Sequence, residues 1–163
     1  MMIWGRPGGS YATLAAKMQL SFSAQMRDPS DGLFSHGVNV ANGHHSCCKW
    51  GRANGWGMLS HVEVLSALAS FPGHPLTAQV LTGYRARVAA LLKVQHVWSG
   101  MWHQVLNESG TYLETSATAM NVLSIAVGVE RGWLTPASAY LLRGMHVTFP
   151  SSHHCATVLG SIS

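Results

Sequence analysis

Charge is scarce in this sequence. Asp, Glu, Lys and Arg together make up 10% of its 163 residues, whereas soluble domains average about 25%. A chain so poor in charge either buries much of its surface or lacks part of its structure. The ten Lys and Arg are scattered, with no run among them, so the basic footprint of a nucleic-acid binder is missing. The formal charge of +4 amounts to a mildly basic surface. Cysteine is also sparse: Cys47, Cys48 and Cys155. An odd count with two neighbours in sequence excludes a disulfide framework. Long apolar runs are missing too. Met1 to Pro7 has no apolar core, and Gly8-Gly9-Ser10 follows at once. The expectation is therefore no signal peptide, no membrane span and no membrane partner, with the compartment left unread.

Histidine and tryptophan are plentiful, at ten and six residues. Flat rings stack on sugar faces and imidazoles bond hydroxyls, although both residue types also fill ordinary cores. The tract His44-His45-Ser46-Cys47-Cys48 invites a metal reading. Zinc ligands are usually spaced two to four residues apart so that they can close a tetrahedron. Adjacent cysteines do this poorly, so the expectation is a compact loop with partly buried thiols and no metal.

Apolar residues recur at helical spacing in several stretches. Tyr11, Leu14, Met18, Phe22 and Met26 predict a first helix, closed by the turn Asp28-Pro29-Ser30-Asp31-Gly32. Leu33 to Val40 is short and extended. A second helix starts at Ala53 at the earliest, with Met58, Val62, Leu65 and Ala69 on one face, and Pro72-Gly73 ends it. A third covers Leu76 to Val94 with the stripe Val80, Tyr84, Val88 and Leu91. Gly100 to Leu106 is extended. A fourth helix covers Thr115 to Glu130, and Thr135-Pro136 starts a fifth that runs to about Met145. After Phe149 the tail has no periodicity and is expected to be poorly ordered. Gly32-Leu33-Phe34-Ser35-His36 echoes Gly100-Met101-Trp102-His103-Gln104. Each follows a helix and leads toward another, which points to repeated helical hairpins.

Trp50-Gly51-Arg52-Ala53-Asn54-Gly55-Trp56 is the sharpest feature. Glycine admits close backbone approach, arginine offers a planar fork matching a carboxylate, and tryptophan offers a stacking face. Together these suit a pocket for an acidic sugar. They suit equally a Trp-rich helix entry with Arg52 in a structural ion pair. Glu114-Thr115-Ser116 reads as capping of the fourth helix. His36 lies on an extended piece between hairpins, where functional residues concentrate.

The order Asp28-Pro29-x-x-Gly32-Leu33-Phe34-x-His36-Gly37, Trp50-Gly51-Arg52-Ala53-Asn54-Gly55-Trp56, Gly100-x-Trp102-x-Gln104-Val105-Leu106 and Glu114-Thr115-Ser116-Ala117-Thr118-Ala119-Met120 resembles successive motifs of glycoside hydrolase family 105. These are the unsaturated rhamnogalacturonyl hydrolases, related to the family 88 unsaturated glucuronyl hydrolases. The resemblance covers roughly residues 11 to 147. It implies an all-α fold, a six-hairpin (α/α) toroid. Here that toroid is incomplete, with about five helices and short extended connections, in a single partial domain over residues 1–163 whose tail from 149 diverges. It further implies a small acidic oligosaccharide as partner, from pectin or rhamnogalacturonan breakdown, and no cofactor. His36, Arg52 and Trp56 match the family's substrate-holding histidine, arginine and stacking tryptophan. Trp102, Gln104 and Glu114 match scaffold positions.

In that family an Asp protonates a C4=C5 double bond and helps water add at C5. It stands upstream of the helix preceding the His36 motif. None of the six carboxylates Asp28, Asp31, Glu63, Glu108, Glu114 and Glu130 stands there. The expectation is a partial chain without a catalytic acid, whose apolar faces stay open as in half a ring. A non-catalytic acidic-sugar-binding remnant and a helical-repeat scaffold for protein binding are the alternatives.

Overall fold

A computed structural model describes residues 9–135. Four helices carry the fold: α1 (Ser10–Met26), α2 (Gly51–Ala69), α3 (Thr77–Lys93) and α4 (Thr115–Glu130). Two small antiparallel pairs join them: β1 (Val38–Asn39) with β2 (His44–His45), and β3 (Trp102–His103) with β4 (Leu113–Glu114). The fifth helix and the tail expected from the sequence lie outside the described residues.

The helices form two layers. α2 packs most extensively on α4, α1 lies against α3, and α2 touches both α1 and α3. α2 is therefore central, and its composition shows why. Met58, His61, Val62, Val64, Leu65 and Leu68 are all buried, a span too wide for a one-sided amphipathic helix and suited to one covered on most sides. The α3 stripe Val80, Tyr84, Val88 and Leu91 turns inward as its spacing predicts. Trp102 and Ile125 complete the same core.

α1 behaves differently. Its buried contacts come from small or polar residues, Ala12, Ala16 and Gln19. Its apolar stripe of Tyr11, Leu14, Met18 and Phe22 stays exposed. This is the open apolar face that a partial ring leaves.

Two expectations need correction. α2 begins at Gly51, ahead of the expected Ala53. The Gly51 N–H donates to the Gln104 carbonyl at 2.8 Å, and a Cβ at Gly51 would stand 2.7 Å from the His103 oxygen. Glycine is needed there for close approach, and the helix opens on it. The thiols of Cys47 and Cys48 are exposed, not partly buried. Their carbonyls are the groups turned to the protein, Cys48 O accepting from His36 N and Cys47 O from Asn107 Nδ2.

Gly32 and Gly100 both adopt positive φ, at 79° and 70°, the left-handed region that favours glycine. Each turns the chain from a helix end into the extended piece that carries a buried aromatic, Phe34 or Trp102. The sequence echo is thus a structural repeat.

Lys49 is buried, and it ties the first of these turns to the start of α2. Its Nζ donates to Asp28 Oδ2 at 2.5 Å and Ser35 Oγ at 2.9 Å, with Asp31 at 3.9 Å. The Lys49 ammonium, helped by bonds from Ser30, holds the Asp28 carboxyl well below the usual carboxylate range. A depressed folded-state pKa contributes stability that is complete above the unfolded-state value and is lost as pH falls. Acid unfolding should therefore draw on Asp28 from about pH 4 downward. Asp28→Asn should cost about 2 kcal/mol at pH 7, less than the ~3–5 for a fully buried pair because Asp28 keeps some solvent contact. It should also flatten the pH dependence of stability below about pH 4. Urea unfolding of both forms at pH 7 and pH 3 checks this, and an unchanged pH slope in the variant would contradict it.

Candidate functional site

The residues of interest gather where α2 begins. Asn54, in the first turn of α2, clamps the chain that carries His36. Its Oδ1 accepts from Phe34 N and its Nδ2 donates to Phe34 O, both at 2.9 Å. The same Nδ2 donates to Trp50 O at 3.0 Å. Asn54 is fully buried, and both ends of its amide are engaged, as burial requires. The second repeat uses the same device at the same helical position: Thr118 Oγ1 in α4 accepts from Trp102 N at 3.0 Å.

Trp50 forms the floor of the cluster. The His36 ring meets it edge-on with centroids 5.0 Å apart. The Arg52 guanidinium lies over it, 4.5 Å from the ring centre. This cation–π contact holds the fork in place. Arg52 Nη1 also approaches Glu114 Oε1 at 3.4 Å. The exposed His36 and half-exposed Arg52 thus share one aromatic platform.

Glu114 is the N-cap of α4. Its side chain accepts from Ala117 N and from Ser116 Oγ. Burial pushes its carboxyl up, but the bonds from Ala117 and Ser116, with Arg52, outweigh this and hold it below its ordinary value. The capping role expected of Glu114 is present, together with an ion pair to Arg52.

Trp56 lies one helical turn beyond Arg52 on the same face of α2. It is 64% exposed and opens into a groove of about 400 Å³ shared with Ala15, Met18 and Phe22 of α1 and with Ser60 and Val64 of α2. The structure therefore brings His36 and Arg52 together on Trp50 and places Trp56 in an adjoining groove. Trp50 itself was missed as a site residue, although its place beside Arg52 in the motif was the available signal. The link between Glu114 and Arg52 had no sequence signal, because it joins two distant motifs.

Among the described residues, no three His, Cys, Asp or Glu side chains gather as metal ligands, and no helix is long and apolar enough to cross a membrane.

Paired helices with an aromatic and arginine cluster at their loop end have the arrangement of the helical hairpins of an α/α toroid, and the comparisons give the class. The chain belongs to glycosyl hydrolase family 88, whose model matches residues 5–145. It is 36% identical over 95 residues to the unsaturated rhamnogalacturonyl hydrolase YesR of Bacillus subtilis (strain 168), a match covering 58% of this chain and 27% of that protein. Its fold is similar to a possible family 105 member from Klebsiella pneumoniae, with TM-score 0.73, 28% identity, and 82% of this chain against 35% of that one covered. It is also similar in fold to a family 105 glycoside hydrolase of C. acetobutylicum, with TM-score 0.72, 24% identity, and coverage of 81% and 42%. The chain thus spans about a quarter of the curated relative's length and about two-fifths of these solved chains. The fold is an incomplete six-hairpin toroid.

Asn54→Ala should leave the Phe34 N–H and C=O without partners and release the His36 strand from Trp50. The expected cost is about 2–3 kcal/mol, with a change in Trp fluorescence at temperatures below the unfolding transition. Unfolding monitored by circular dichroism and fluorescence tests this. A variant as stable as the parent would remove Asn54 from its proposed role.

Proposed function

We propose that this chain carries the sugar-holding part of a hydrolase acting on small unsaturated uronyl oligosaccharides of the pectin type. In the reaction of that class, water adds across the C4=C5 bond, hydrogen to C4 and hydroxyl to C5. The resulting hemiketal opens and releases the neighbouring sugar. Arg52 binds the uronate carboxylate, His36 bonds a hydroxyl, and Trp50 and Trp56 offer sugar-facing rings.

The observation that carries this reading is the convergence of Arg52 and His36 on the face and edge of Trp50. Only Nη1 of Arg52 is engaged by Glu114, which leaves two further nitrogens for a carboxylate. Membership in the family and the activity of the Bacillus relative support the substrate class.

The chain's own carboxylates do not supply the proton. Asp28 and Glu114 are held ionised by their partners. Asp31 accepts from Leu33 N at 2.8 Å and serves the turn. Glu63, Glu108 and Glu130 are exposed. Binding without turnover is therefore the behaviour proposed for this chain alone.

Titration with an unsaturated uronyl disaccharide, followed by calorimetry and by the ultraviolet absorbance of its double bond, tests both halves. Binding should be measurable and should weaken about 10–100-fold in Arg52→Ala, the worth of a charge-assisted bond. The absorbance should persist. Unchanged affinity in the variant would sink the proposed pocket, and decay of the absorbance would show that an acid is present after all.

A further inference from the structure

We propose that the cavity between α1, α2 and α3 contains a binding site for a small tetrahedral oxyanion such as inorganic phosphate, built around Arg87. Arg87 sits on α3 and is 97% buried, at 3% exposure. Its guanidinium lies over the Phe34 ring. Yet Nε, Nη1 and Nη2 find no hydrogen-bond partner among the described residues. Stacking on a ring leaves all of the donors in the guanidinium plane unanswered.

A buried guanidinium without an acceptor is among the costliest arrangements a fold can hold. The usual remedy is a carboxylate. All six carboxylate side chains of this sequence lie within residues 9–135, and none pairs with Arg87. The ion pairs among described residues are Lys49 with Asp28 and Asp31, and Arg52 with Glu114. No carboxylate of the chain stands against Arg87, and its fork is open to an anion from outside.

The surroundings fit such an ion. Arg87 lines a cavity of about 260 Å³ between α1, α2 and α3, with Ser23, Arg27, Phe34, His61 and Thr82. A liquid water occupies about 30 Å³, so a tetrahedral oxyanion with part of its hydration shell has room. Arg27 is exposed at this cavity and brings a second fixed positive charge, close enough to act electrostatically on Arg87. Ser23 Oγ accepts from Gln19 Nε2 at 3.1 Å, which leaves its own proton to donate. The His61 ring, which also lines the cavity, is already engaged by the Gly57 carbonyl at 2.9 Å and by the Gln19 amide. Two guanidinium forks and a hydroxyl suit three or four anionic oxygens. The site lies apart from the Trp50 platform and shares none of its residues.

The full chain is titrated with inorganic phosphate in a chloride buffer at fixed ionic strength, with calorimetry and thermal unfolding as readouts. Saturable one-to-one binding is expected. At ten times Kd the unfolding temperature should rise on the order of 3 °C. Arg87→Met should lose both the isotherm and the shift, and in phosphate-free buffer it should unfold no earlier than the parent. Arg27→Gln, at an exposed position, should weaken phosphate binding several-fold and serves if Arg87→Met does not fold. Arg52→Ala should bind phosphate unchanged, which separates this site from the sugar site. Absence of a saturable isotherm, or an affinity equal to the parent's in Arg27→Gln or in Arg87→Met, overturns the proposal.

Discussion

One buried amide organises this molecule. Asn54 satisfies both backbone groups of Phe34 and reaches back to Trp50. A single side chain thereby fixes the register between an extended segment and the helix it adjoins. Phe34 enters the core because its N–H and C=O are already met, which removes the main cost of burying a non-helical strand. His36, two residues on, then stands beside Trp50, its N–H bonded to the Cys48 carbonyl. Thr118 does the same for Trp102 with one bond, and Glu114 adds an N-cap. The repeating unit is therefore more than a pair of helices. It is a helix, a left-handed glycine, a buried aromatic and an inner helix whose first turn captures that aromatic's backbone.

That unit explains the electrostatics of the site. α2 and α4 begin side by side, with the N–H groups of their first turns at the same end of the pair, where they favour negative charge. Glu114 answers one such end directly. Arg52 sits in the first turn of α2, an unfavourable place for a cation, and is held there by the Trp50 face and by Glu114 from the neighbouring hairpin. The guanidinium is thus steered across the hairpin boundary and not toward its own helix axis. The ion pair is half-exposed and worth little to stability. Its effect is orientation, leaving the rest of the fork open to an acidic ligand.

Much of this was legible in the sequence, and the exceptions are instructive. The α3 stripe and the limits of α4 followed from periodicity and turn chemistry. The ordered motifs led to the family and hence to the toroid. Periodicity reports that a face is apolar and not what covers it, so the Tyr11, Leu14, Met18 and Phe22 stripe could not be assigned a neighbour. The start of α2 was placed at Ala53 and not at Gly51, because a backbone approaching from residues 103–104 is not visible in sequence. Buried Lys49 and Arg87 look like surface residues in any one-dimensional pattern. Their burial depends on which helices flank them, and only the assembled layers show it.

Trp56 shows why a site residue must be judged by its walls as well as by its motif. Its groove is faced by Ala15, Met18, Phe22 and Val64, side chains that offer a sugar's hydroxyls nothing. The polar residues there, Gln19 and Ser60, bond to one another at 2.5 Å, and Gln19 is further engaged by His61. A sugar entering that groove would lose its hydration without recovering hydrogen bonds, a net cost. An apolar side chain would lose only unfavourable water contacts. The polar and cationic groups are therefore concentrated at the Trp50 end, in His36 and Arg52. Trp56 joins that end through its place one turn below Arg52, and turns its other side to an apolar edge of the same kind as the α1 stripe. The indole therefore stands at a border, with the polar cluster of Trp50 and Arg52 on one side and an apolar edge suited to packing on the other.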